Sequence, residues 1–172
     1  AYTTNALVRE AVIHFDGAND HFIGDFTFMN GRPYTIFTVE ARQDGGNRYY
    51  LGTTPGGTQD ANLHVGYRDN VTYTLAQWGN DINYTVPGYG SQVFRTWVNE
   101  IDATGHHVFL NGTEVANNAN TTPLTVSSTT SGRVGMGYSA QYYYGDLAEI
   151  LIYNTSLTAA QRQAMQSYLD FK

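Results

Sequence analysis

Glu100 and Asp102 are two carboxylates on alternate residues of "QVFRTWVNEID" (92–102), a segment that reads as a strand. Alternate strand residues share a face, so the pair can lie close together. Two carboxyl groups about 5–5.5 Å apart are what retaining glycosidic cleavage needs, one as nucleophile and one as general acid. A plainer reading competes with this. Asp102-Ala103-Thr104-Gly105 has Asp at the first position of a type I turn and Gly at the last. The chain then folds back through "HHVFLNG" (106–112). The spacing favours this second reading, in which the pair ends a strand before a hairpin.

Other catalytic patterns are absent. There is no G-x-S-x-G elbow and no H-E-x-x-H. His106 and His107 are adjacent on a strand, so they point to opposite faces and cannot share a metal. His14, His21 and His64 each stand alone on strand or turn segments. "FDGANDHFIGD" (15–25) gathers Asp16, Asn19, Asp20 and Asp25, the oxygen donors that calcium prefers. It lacks EF-hand spacing. In the alternative reading Asp16 and Asp20 hold backbone amides in a tight turn. Calcium, through Asp16, Asn19 and Asp20, is the one cofactor the sequence leaves open.

Binding chemistry is more visible. In "GYRDNVTYTLAQWGNDINY" (66–84) aromatic rings alternate with hydrogen-bonding side chains: Tyr67, Arg68, Asn70, Tyr73, Gln77, Trp78, Asn80, Asp81 and Tyr84. Ring faces stack on C–H surfaces, while amides, carboxylates and guanidinium pair with hydroxyls. Gly79-Asn80-Asp81 is a turn that would carry Trp78 to a rim. "SAQYYYG" (139–145) adds Tyr142, Tyr143 and Tyr144, three consecutive rings that one face cannot bury together. The competing reading places most of these rings in a core.

The elements that must hold these residues are strands. Tyrosine, Thr, Asn and Gly are plentiful, which suits short strands and tight turns. "AVIHF" (11–15) with Glu10 before it, "DFTFMNG" (25–31), "YTIFTVEAR" (34–42) and "RYYLGT" (48–53) read as successive strands. "ANLHVGYR" (61–68) and "VTYTLAQW" (71–78) form a hairpin about Asp69-Asn70. Asn111-Gly112 turns into "TEVA", and "GRVGMGY" (132–138) and "GDLAEILIYN" (145–154) close the series. Thr158 and Gln161 read as a capping box. The helix after them places Gln161, Met165, Tyr168 and Leu169 along one face. The expected fold is all-β: a two-sheet antiparallel sandwich with one short C-terminal helix.

The formal charge of −6 argues against a nucleic-acid surface. No apolar run is long enough for membrane insertion. There are no cysteines, which excludes disulfides and thiolate metal sites. Residues 1–172 read as a single domain, and the absence of an initial Met suggests a module or mature chain of a larger exported protein. Sequons at Asn70, Asn83, Asn111, Asn120 and Asn154 hint weakly at export.

"VIHFDGANDHF", "PYTIFTVEAR", "FLNGTEVA" and "GDLAEILIYNTSLTAAQRQAMQSYLDFK" together resemble the laminin-G-like branch of the concanavalin A-like lectin/glucanase superfamily. The closing pattern is the more specific: Gly145, Leu147, Ala148, Glu149, Ile150, Ile152, Tyr153, Leu157, Thr158, Tyr168, Leu169 and Lys172. The resemblance implies a jelly roll with one concave face. It implies sugar binding or adhesion less firmly, because the fold hosts many functions. Hydrolases of the superfamily carry E-x-D-x-E or E-x-D-x-x-E. Here the third acid is replaced by Thr104 or Gly105. The expected function is therefore a non-catalytic carbohydrate-binding or adhesion module, secreted or at the cell surface. Its partner would be a glycan or polysaccharide, bound by Tyr67, Arg68, Asn70, Gln77, Trp78, Asn80, Asp81, Tyr84, Tyr142 and Tyr143. The alternatives are a structural or docking module that meets other surface-protein domains and, behind it, a glycoside hydrolase.

Overall fold

The computed structural model describes residues 2–4, 11–86 and 93–171. In chain order its strands are β1 Tyr2–Thr4, β2 Ala11–Asp16, β3 Phe22–Gly24, β4 Tyr34–Arg42, β5 Arg48–Thr53, β6 His64–Tyr67, β7 Thr72–Ala76, β8 Ile82–Thr85, β9 Arg95–Ile101, β10 His106–Leu110, β11 Thr113–Asn118, β12 Gly132–Val134 and β13 Tyr144–Tyr153. One helix, α1, spans Ala159–Phe171. The expected strand ends at Glu10 and Gln92, and the closing Lys172, lie outside the described residues.

The strands form two antiparallel sheets. One is ordered β1-β2-β13-β4-β9-β10-β11 and the other β3-β12-β5-β6-β7-β8. Residues directly opposite in a ladder share a face, so the register sorts inner from outer side chains. Ile36, Trp97 and Val108 of the larger sheet meet Tyr50, Val65, Tyr67, Tyr73 and Leu75 of the smaller one in the main core. Trp97 stacks on Tyr73 at 3.6 Å with the planes 7° apart.

That core contains a polar centre. Glu40 is fully buried on β4. Its Oε1 accepts from Tyr67 Oη at 2.6 Å and from Trp97 Nε1 at 2.9 Å, and its Oε2 accepts from Tyr143 Oη. Burial pushes the Glu40 carboxyl up, and the three donors oppose that shift. Arg42, two residues on, lays its guanidinium 3.8 Å from the Tyr67 ring centroid. It donates to the carbonyls of Asp69 and Asn70 at 2.7 Å each.

A smaller apolar cluster covers the outer face of the larger sheet. Phe37, Val98 and Leu169 form it, joined by Phe109, Leu151 and Met165. The capping box forms as expected: Thr158 N donates to Gln161 Oε1 at 2.9 Å, and Gln161 N donates to Thr158 Oγ1 at 3.3 Å. The buried stripe keeps two of the four residues expected. Met165 and Leu169 face the sheet, together with Arg162, whereas Gln161 and Tyr168 are exposed. Gln161 is held by the cap, and Arg162 is drawn inward to Glu100 at 2.7 Å.

Two strand expectations fail locally. Residues 27–29 form a 3-10 turn, because Asp25 Oδ1 accepts from Thr27 N at 2.8 Å and Thr27 Oγ1 at 2.6 Å. "GRVGMGY" runs as a strand only through Val134, with an isolated bridge from Met136 to Tyr142 beyond it. Gly135 then turns away at φ +87°, where a Cβ would fall 2.1 Å from the Phe15 ring.

Candidate functional site

Glu100 and Asp102 can be placed first. The buried Glu100 lies under α1 on the outer face of the larger sheet. Its Oε1 accepts from Leu157 N at 3.0 Å and its Oε2 from Arg162 Nη1 at 2.7 Å. Asp102 Oδ1 accepts from Thr104 N at 2.6 Å and Gly105 N at 3.1 Å, and closes the turn. One carboxylate anchors a helix start and the other a hairpin.

The outer face of the smaller sheet is different. Register places His64 and Gly66 of β6, Thr74 of β7, Asn83 of β8 and Tyr49 of β5 on it. Two segments add to this floor. The turn after β7 brings Trp78, and the hairpin of residues 135–143 brings Tyr138. Trp78 and Tyr138 meet edge to face, with centroids 4.8 Å apart and planes at 88°. The His64 ring lies 4.9 Å from Tyr138 and 6.0 Å from Trp78, and Tyr49 lies 5.3 Å from His64. Trp78 and Tyr138 are half-buried, while His64 and Tyr49 are buried beneath them.

The backbone is bent to build this corner. Trp78 has φ 63°, in the left-handed region, which disfavours a bulky residue by roughly 1–2 kcal/mol. A polar tie holds the turn: Asn80 Nδ2 donates to Asp60 Oδ1, Asn120 Nδ2 donates to Asn80 Oδ1 at 2.5 Å, and Asp60 N donates to Gln77 O at 2.7 Å. Two glycines admit the hairpin of Tyr138. A Cβ on Gly52 would fall 2.6 Å from the Gly137 carbonyl carbon, and one on Gly137 would fall 2.7 Å from the Tyr49 ring. The loop 53–60 closes the margin on this side, with Gly56 directly against Tyr138. Arg68 borders the other side. Its guanidinium pairs with Asp81, and its Nε donates to Asn83 Oδ1 at 3.0 Å.

His64 Nδ1 lies 3.1 Å from the Asn62 carbonyl, so the ring donates there in its neutral form. Burial pushes His64 down to about 4, from an unfolded value of about 6.5. A depressed histidine contributes stability that is whole above the unfolded value and is lost as pH falls toward the folded one. His64 alone should therefore remove on the order of 2 kcal/mol between about pH 7.5 and pH 5. Urea denaturation of wild type and His64→Gln at both pH values checks this. The variant should lose measurably less stability than wild type over that range.

The 66–84 stretch interleaves two faces. Arg68, Trp78 and Asp81 come together on the outer side. Tyr67 and Gln77 are fully buried on the inner side: Tyr67 is engaged by Glu40, and Gln77 donates to Tyr34 Oη at 3.2 Å. The half-buried Tyr84 packs inward, its ring 6.4 Å from Trp97. Asn80 belongs to the tie that holds the turn. Asn70 is at the far hairpin, where Asp69 Oδ1 accepts from Val71 N at 2.8 Å and Thr72 N at 2.9 Å. Tyr143 is buried against Glu40, and Tyr142 lies 6.0 Å from the His21 ring. Neither joins Trp78. Tyr138, Tyr49, His64 and Asn83 were missed by sequence reasoning. The alternating glycines of "GRVGMGY" were the signal for Tyr138, since they mark a chain passing close over another backbone.

In the 16–20 turn, Asp16 Oδ1 accepts from Ala18 N at 2.8 Å, and Asp16 N donates to Asp20 Oδ2 at 3.3 Å. Among the described residues no group of three or more His, Asp and Glu is placed to hold a metal ion. Among them, too, no helix is long and apolar enough to cross a membrane.

These features define an all-β, two-sheet sandwich with an aromatic cluster of Trp78, Tyr138, His64 and Tyr49 on one outer face and a helix on the other. No family model matches the chain, and no curated protein matches it by sequence. Solved structures do match its fold. Domain 4 of AbnA, a GH43 extracellular arabinanase from Geobacillus stearothermophilus, in complex with arabinotriose, has a TM-score of 0.73 at 14% identity, covering 96% of this chain and 80% of that one. The CBM40 of the Ruminococcus gnavus IT-sialidase, bound to α2,3-sialyllactose, has a TM-score of 0.67 at 14% identity, covering 90% and 97%. The sialidase of Trypanosoma rangeli has a TM-score of 0.68 at 15% identity over 91% of this chain, which corresponds to 27% of that one. At such identity the likeness is one of fold.

Proposed function

We propose that this chain is a non-catalytic carbohydrate-binding module that takes a glycan on the outer face of the β5–β8 sheet. The observation that carries the reading is the half-exposed Trp78–Tyr138 corner, held by a left-handed tryptophan and bordered by Arg68, Asp81 and Asn83. A sugar ring would stack on one aromatic face with its edge against the other, and its hydroxyls would meet the polar border. Solved domains of this fold bound to arabinotriose and to sialyllactose support the reading. We read the chain as a laminin-G-like sandwich of a secreted or cell-surface protein with an adhesive role. A glycan array of the chain, run with calcium and with a chelator, tests this. Binding in both buffers is the expected result. Binding only in calcium would bring the 16–20 turn into the site as an ion-binding element.

A specific feature favours a second reading, a docking module for another surface-protein domain. Phe22 and Ile23 are exposed on β3, the edge strand of the smaller sheet. An apolar edge strand invites pairing with another chain. Silence of the array in both buffers would favour this reading.

A further inference from the structure

The polar border of the site holds one cation, Arg68, which Asp81 neutralises, and a further carboxylate, Asp60, is tied to Asn80 behind the Trp78 turn. Arg68 and Asp81 form an ion pair with side chains 35% and 26% exposed, and Asn83 Oδ1 accepts from Arg68 Nε. The other side chains described on this face around the corner, Tyr49, His64, Thr74, Asn83, Trp78 and Tyr138, carry no charge at neutral pH. Arg133 is the next cation on the same face. It stands opposite Gly52, which stands opposite His64. The backbone of Gly137 lies over Gly52, between Arg133 and the aromatic corner. Arg133 Nη1 is also turned to the carbonyls of Thr130 and Gly132, at 2.7 and 2.9 Å.

We infer that the site selects neutral glycans, those without carboxylate, sulfate or phosphate, and that Asp81 determines this specificity by cancelling Arg68. The inference rests on the carbohydrate-binding reading. A hydroxyl donates and accepts at once. It therefore matches a border in which guanidinium and Asn83 amide donors stand beside a carboxylate acceptor. An acidic sugar offers its carboxylate only as an acceptor. It would need Arg68 to itself, and would bring a second negative charge against Asp81. The chain's net charge of −6 adds long-range repulsion of anionic glycans.

The test is calorimetric titration with matched probes: lactose against 3′-sialyllactose, and α-1,4-galactotriose against trigalacturonate. Wild type should bind at least one neutral probe with about tenfold or greater preference over its acidic counterpart. Asp81→Asn keeps an acceptor oxygen for Arg68 and removes the charge. It should narrow that preference by about tenfold, with acidic binding that weakens as salt is added. Arg68→Gln should do the reverse, leaving Asp81 unopposed and widening the preference. A wild-type preference for the acidic probe overturns the inference while leaving carbohydrate binding intact. So does an unchanged ratio in both variants. Absence of binding to every probe and on the array overturns the site itself.

Discussion

Trp78→Ala should weaken binding of any glycan the chain recognises by at least about tenfold, or about 1.4 kcal/mol, and leave the protein folded. The ring is half-exposed and packs against Tyr138 and His64, outside both apolar cores. Its removal takes away one wall of the corner without opening the interior. The left-handed backbone at this position strains alanine as it strains tryptophan, so the mutation relieves nothing there. Trp78→Gly gives a second measure: the ring is lost but the φ of 63° becomes favourable. Both variants should lose binding equally while the glycine form melts at the higher temperature. Affinity electrophoresis paired with thermal melting reads both quantities. Undiminished binding in both variants would remove Trp78 from the site and refute the proposed function.

Glu40→Ala should reduce folding stability by about 3–5 kcal/mol, enough to leave many domains marginal. The loss would not come from the carboxylate alone. Tyr67, Tyr143 and Trp97 all direct donors at it, and alanine would leave the two tyrosine hydroxyls without their acceptor in a closed core and Trp97 Nε1 with only its longer contact to Tyr67 Oη at 3.2 Å. Glu40→Gln keeps an acceptor at nearly the same volume and should be milder. The pair also separates charge from shape. A carboxyl that burial pushes up holds its proton longer in the folded state than in the unfolded chain, where it titrates near about 4.3. Its contribution to stability is whole below the unfolded value and is lost as pH rises through the folded one. Wild type should therefore lose stability relative to Glu40→Gln as pH increases, as measured by chemical denaturation. Parallel pH profiles for the two proteins would show that the carboxyl is not raised.

Strand identity was legible where one face is wet or where turn chemistry is strong. The Asp69-Asn70 hairpin, the Thr158–Gln161 cap and "RYYLGT", which is buried but follows the Asp44–Asn47 turn, appear as their residues imply. "YTIFTVEAR" was legible as well, although it is buried on both sides, because β-branched and aromatic residues fill it. The site was only partly legible. A stretch such as 66–84 names side chains on both faces of two strands. Periodicity alone does not say which face meets the other sheet. Arg68, Trp78 and Asp81 fell outward, while Tyr67 and Gln77 fell inward. Tyr138 arrives from residues 54 positions beyond Tyr84, across a glycine contact that depends on tertiary approach. The polar core was hidden for a similar reason. Glu40 looks like an ordinary surface residue of an alternating strand until Tyr67, Trp97 and Tyr143 are seen to converge on it from three other segments.

The helix and the aromatic corner lie on opposite outer faces of the sandwich. This gives the molecule a front and a back. The chain has no cysteine, so a single thiol introduced at the exposed Gln163 or Ser167 would be its sole thiol. Coupled through the back of α1 to a bead, a sensor chip or a dye, every copy would present Trp78 and Tyr138 outward. The same polarity lets many copies be arrayed on a scaffold with their sites facing one way, so that weak single contacts with a repeating polymer multiply into durable attachment.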